Sequence, residues 1–196
     1  MKRIFSLLAC LVLLLLTSAA GALNDGEFEY ELAQTETSIL TRWLGTAAEL
    51  EIPDLLGGKP VTQIGEGAFR DCRFLVNAKI PDGVEMLWPQ AFYNCAALEE
   101  VKLPSSLKEI GDLAFAYCST LETLKIPEDT LGIGEFAFGE CLSLTSLTVP
   151  ASVIRIGSDA FLGTRKGFTL MGLEGSYAQE YALANGIDFT AAIADA

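Results

Sequence analysis

Ala-Phe pairs end at Phe69, Phe92, Phe115, Phe138 and Phe161, each 23 residues after the last. Cys72, Cys95, Cys118 and Cys141 keep the same spacing, as do Pro81, Pro104, Pro127 and Pro150. A period of about 20 to 30 residues held this strictly marks a solenoid, in which each repeat is one turn burying its apolar face against its neighbours. A chain of 196 residues, 51% of them hydrophobic, could equally fill one ordinary domain. The period excludes that and predicts a β-rich solenoid of about five coils.

Each unit holds two apolar stretches. Leu98, Val101, Leu103 and Pro104 recur as Leu75, Ala78, Ile80 and Pro81, and again from Leu121 and from Leu144. This reads as a short strand with inward branched residues, closed by a proline where a missing N–H harms the ladder least. The second stretch, Val61, Ile64 and Gly65, recurs as Leu107, Ile110 and Gly111 and as Val153, Ile156 and Gly157. Its glycine predicts either a positive φ or a tight approach of backbones.

With these residues in view, the array resembles the BspA-type leucine-rich repeats, whose pattern I-G-x-x-A-F-x-x-C-x-x-L-x-x-[VIL]-x-[IL]-P is met almost fully in four copies between residues 49 and 163. The resemblance implies a leucine-rich-repeat array. It also implies a secreted or surface-exposed protein with a role in adhesion or protein binding, and it brings no catalytic residues.

The ends differ from the array. Lys2 and Arg3, an apolar run over residues 4–16 and small residues at 18–22 read as a secretory signal spanning residues 1–22, with cleavage near Gly21 or Leu23. Cys10 reads as a passenger in that signal, and an uncleaved anchor is the alternative. Residues 23–48 are expected to form an N-terminal hairpin cap, with Phe28, Tyr30 and Leu32 alternating with glutamates before the apolar run 39–44. Glu49 to Pro53 reads as the first repeat strand, and residues 57–60 as a loop longer than its later counterparts. The solenoid is expected over 49–163 and a C-terminal helix and strand cap over 164–196. There Ser176 and Gln179 suggest a capping box, Tyr177, Tyr181 and Leu183 one side of the helix, and Asn185-Gly186 its end. A strand is expected near residues 187–189.

Charge and composition narrow the function. Without Lys2 and Arg3 the chain has 11 basic against 26 acidic residues, a formal charge of −15. That disfavours nucleic acid and anionic membrane surfaces. The chain contains no histidine, which removes the usual general base and most zinc sites. The expectation is a non-enzymatic, freely secreted monomer without cofactor or metal. Cysteines in register sit about 4.8 Å apart from coil to coil, so four of them cannot surround one tetrahedral ion. Adjacent pairs could bridge, but inward thiols serve as small apolar filler, and reduced buried cysteines are expected. The phenylalanines read as a stacked spine in which Phe161, at the end, counts for less than Phe115.

The outward positions of the strands carry the candidate site. One column reads Glu49, Asn77, Glu100, Thr123 and Ser146, the other Glu51, Lys79, Lys102, Lys125 and Thr148. Lys79, Lys102 and Lys125 form a basic stripe on an acidic protein, with Glu100 and Thr123 beside it. Stacked like charges oppose one another. The stripe serves either as a solubility device or as a site for an acidic segment of an extracellular or host-surface protein. One coil breaks the glycine rule with Leu87-Trp88-Pro89, and Trp88 is either a partner anchor or a cover over a local groove. The competing functional reading is a structural envelope-associated protein with no dedicated ligand.

Overall fold

The computed structural model describes residues 22–192. The signal expected over 1–22 and the last four residues lie outside them, apart from residue 22. Strands β1 (Leu23–Asp25), β2 (Phe28–Leu32) and β3 (Ser38–Trp43) form an antiparallel meander, one strand more than the expected hairpin. β3 then pairs in parallel with β6 (Lys59–Ile64), and through it with β8 (Met86–Leu87), β10 (Glu109–Ile110), β12 (Gly132–Ile133) and β14 (Arg155–Ile156). The loop expected at 57–60 is a tight hairpin between β5 (Leu55–Leu56) and β6, turned by Gly57 and Gly58 at φ 58° and 74°. An added Cβ on Gly57 would stand 2.2 Å from the Tyr30 hydroxyl, so the hairpin lies against the cap.

The second face of the solenoid is built from the repeat strands β4 (Glu49–Glu51), β7 (Asn77–Lys79), β9 (Glu100–Lys102), β11 (Thr123–Lys125), β13 (Ser146–Thr148), β15 (Thr169–Gly172) and β16 (Asp188–Ala191). They mark about seven turns rather than five, because the C-terminal cap adds β15 and β16 to the stack. The chain between β15 and β16 folds into helix α1 (Tyr177–Asn185). Among the described residues no helix is long and apolar enough to cross a membrane.

Inside, the period becomes a ladder of rings. Phe69, Phe92, Phe115, Phe138 and Phe161 stack at centroid spacings of 4.7, 5.3, 5.4 and 5.7 Å, with planes 5 to 8° apart. Trp43 stops the ladder at one end, 5.9 Å from Phe69 and tilted by 45°. Phe168 and Tyr181 stop it at the other, 5.3 and 5.8 Å from Phe161. Each thiol reaches back one coil, with Cys95, Cys118 and Cys141 donating to the carbonyls of Phe69, Phe92 and Phe115 at 3.0 to 3.2 Å. These three are buried, and all four cysteines of the array are free. Cys72 differs from expectation in being half-buried, and because the cap rather than a repeat coil precedes it, its thiol has no phenylalanine carbonyl to reach back to.

The glycine column is a close approach of backbones. Gly65, Gly111, Gly134 and Gly157 have ordinary negative-side φ, but a Cβ on Gly134 would sit 2.4 Å from the Asp112 nitrogen, and one on Gly157 equally close to that of Glu135. Each coil instead takes two left-handed residues at other places. One column is Gly67, Gln90, Leu113, Phe136 and Asp159, the other Asp71, Asn94, Tyr117, Glu140 and Gly163. A bulky side chain there costs about 1 kcal/mol or more.

The C-terminal cap departs from the expected capping box. The Ser176 hydroxyl caps nothing and is buried without a partner, while Gln179 accepts the Gly175 N–H at 2.7 Å. Gly186, at φ 67°, ends the helix as expected. Ala178 and Ala182 face inward with the half-buried Tyr181, whose hydroxyl accepts the Ala160 N–H at 3.2 Å, while Leu183 is 72% exposed.

Candidate functional site: an open junction in the strand face

The outward columns have the register expected from the repeat. Glu51 stands opposite Lys79 and Lys79 opposite Lys102, while Lys125 stands opposite Thr148. The ladder is interrupted between β9 and β11, leaving a three-stranded sheet β4-β7-β9 and a four-stranded sheet β11-β13-β15-β16. Elsewhere Ile80 and Ile126 donate their N–H groups to Lys102 and Thr148, and Glu99 and Thr145 donate to Val76 and Glu122. Among the described residues the corresponding amides of Leu103 and Glu122 make no such bond. Hydroxyls span the junction instead. Thr120 Oγ1 donates to the carbonyls of Ala96 and Leu98 at 3.0 and 2.9 Å, and Ser119 Oγ to Ala96 at 3.2 Å. The interruption falls between Lys102 and Lys125, whereas Lys79, which is paired with Glu51, stands opposite Lys102 in an unbroken ladder.

A groove of about 760 Å³ occupies this junction, lined by Glu100, Lys102, Thr123 and Lys125 and also by Glu128 and Asp129, with Val101 and Leu124 in its floor. Through Glu100 and Lys102 it meets a smaller groove of about 390 Å³ that contains Lys79 and Glu51. The three lysines are all exposed, but not equally free. Lys79 is paired with Glu51, which raises the lysine's pKa through their hydrogen bond and lowers that of the carboxylate. Among the described residues neither Lys102 nor Lys125 has an ion-pair partner.

Trp88 lies elsewhere. It follows β8 on the other sheet, where its N–H donates to Ile64 as each column glycine donates to the coil before it. Its indole Nε1 donates to Gln63 Oε1 at 2.8 Å, and the ring stays 36% exposed at one end of a separate groove of about 660 Å³ floored by Gly111, Gly134 and Gly157. That groove shares no residue with the lysine groove. The structure therefore unites Lys102, Lys125, Glu100 and Thr123, sets Lys79 at their edge, and separates Trp88. Arg155 crosses the same surface to Glu109 at 2.7 Å, passing over Gly132. Among the described residues no three histidine, cysteine or acidic side chains are grouped to hold a metal.

Two stacked parallel sheets around a phenylalanine ladder, open on one strand face, define a leucine-rich-repeat solenoid. The chain belongs to the BspA type leucine rich repeat region family, whose pattern matches residues 48–166 in six copies. A Treponema pallidum leucine-rich repeat protein is similar over 76% of this chain and 71% of its own, with 32% identity and a TM-score of 0.71. A leucine-rich repeat protein of Bacteroides ovatus is 29% identical over 77% of this chain, with a TM-score of 0.67, and the match spans 41% of that protein's length. A leucine rich cell surface protein of Faecalibacterium prausnitzii is 26% identical, with a TM-score of 0.55, over 79% of this chain and 55% of its own. No curated protein matches the chain.

Proposed function

We propose that this is an exported, non-enzymatic interaction module that takes an acidic, extended segment of another protein into the β9–β11 junction. The observation that supports the reading most is the interrupted ladder itself, flanked by two unpaired lysines. An extended segment lying along the groove can set its carboxylates on Lys102 and Lys125. Glu100 and Thr123 border the groove and are assigned to register and specificity. Export agrees with the apolar leader read over residues 1–22 and with the surface description of the Faecalibacterium prausnitzii relative.

Exposed lysines govern association rate and salt dependence more than final affinity. Anisotropy of a fluorescein-labelled oligo-glutamate peptide, titrated over a range of salt, tests the reading. The parent should bind with an affinity that falls as salt rises, Lys102→Gln/Lys125→Gln should lose that dependence, and Lys79→Gln should keep most of it because Lys79 is engaged with Glu51. Equal binding by the double variant and the parent would reduce the stripe to a solubility device and favour the structural reading without a ligand.

A further inference from the structure

The turn side of the solenoid, remote in sequence register from the lysine columns, carries bulky residues where the backbone least favours them. Of the ten left-handed positions in the two columns, seven hold Gly, Asn, Asp, Gln or Glu, and three hold Leu113, Tyr117 and Phe136. Local preference is broken in adjacent coils, and such breaks mark places where a side chain is kept for something other than folding. Tyr93, Tyr117 and Phe136 form a continuous aromatic row, with ring centroids 5.3 and 6.2 Å apart. Tyr117 is 40% exposed.

One end of the row is already occupied by the chain's own cation. The Arg70 guanidinium lies 4.9 Å from the centre of the Tyr93 ring, its Nε stands 3.6 Å from Asp71 Oδ2, and Nη1 donates to Gln90. Later coils place Ala116 and Gly139 at the position of Arg70, so no side-chain cation follows the row to Tyr117 and Phe136. The carboxylate, however, is repeated. Glu140 stands one coil beyond Tyr117 in the column that begins with Asp71, its carboxylate lying over Gly163 of the following coil, and among the described residues it has no ion-pair partner.

We propose that Tyr117 and Phe136, with Glu140 in the next coil as a flanking negative charge, form a second docking site, for an arginine side chain on a basic segment of a partner protein, the rings taking its guanidinium as Tyr93 takes that of Arg70 within the chain. A guanidinium stacks on an aromatic face and pairs with a carboxylate at once, which an ammonium does less well. The acidic balance of the chain, −13 overall, draws such a segment in.

The test uses fluorescein-labelled hexa-arginine and hexa-lysine, followed by anisotropy at one fixed salt concentration. The variant Tyr117→Asn/Phe136→Gln takes residues already used in those columns, at Asn94 and Gln90, and alters no charge. The parent should bind hexa-arginine more tightly than hexa-lysine. The variant should lose at least tenfold for hexa-arginine while melting at the parent's temperature or above. Unchanged hexa-arginine binding would mean that net charge alone attracts the peptide and would overturn the site. A lowered melting temperature would overturn it too, by making the rings packing residues. Lys102→Gln/Lys125→Gln should leave hexa-arginine binding intact, so this site and the lysine groove stand or fall separately.

Discussion

A thiol that donates to a carbonyl of the preceding coil does more than fill space. Phe69, Phe92 and Phe115 each offer a carbonyl that accepts the N–H of the cysteine in its own coil and the S–H of the next. Burial pushes the Cys141 thiol up to about 12, so the folded chain holds it protonated where an unfolded thiol would ionise near 9. Its contribution is therefore present below pH 9 and is lost as pH rises from 9 towards 12. Native protein treated with iodoacetamide should leave Cys95, Cys118 and Cys141 unlabelled, and all three should label after unfolding. Labelling of Cys118 or Cys141 in the folded state would contradict that packing. The sequence supplied the cysteine column but not the exception at its head, because the missing carbonyl above Cys72 belongs to an irregular cap. Phe161 was expected to count for less than Phe115, yet it has ring partners on both sides. Alanine at either position should cost about 3–5 kcal/mol by chemical denaturation, and a difference beyond about 1 kcal/mol would show a looser end.

At the level of the element, two glycines two residues apart behave differently. Gly134 is pressed against the Asp112 backbone, so Gly134→Ala must push coils apart and should cost at least about 2 kcal/mol. Gly132→Ala meets only the mobile ends of Glu109 and Arg155, 2.3 and 2.6 Å away, and should cost at most about 1 kcal/mol by displacing an exposed ion pair. Thermal melts of the two variants give the comparison, and equal shifts would contradict it. The tight approach was one of two outcomes legible in the Ile-Gly pairs. The left-handed columns were not legible, since Leu113, Tyr117 and Phe136 carry none of the turn chemistry by which such positions are recognised. The helix cap was half legible: Gly186 has the expected role, while Gln179 reaches Gly175 rather than completing a box with Ser176.

Across the whole molecule, the period dictated the stack, the ring spine and both outward columns, because one repeat seen five times fixes which side of a strand each residue takes. It could not reveal the interruption between β9 and β11, where the three residues of each strand keep the same pattern as their neighbours. Nor could it show Trp88 apart from the lysines, since that depends on which sheet each stretch joins. The lysine groove thus rests on an opened junction, and amide hydrogen exchange reads that junction directly. The amides of Leu103 and Glu122 should exchange faster than those of Ile80, Ile126, Glu99 and Thr145, and should slow when oligo-glutamate is added. Equal protection of all six in the free protein, or no change on adding the peptide, would contradict the account.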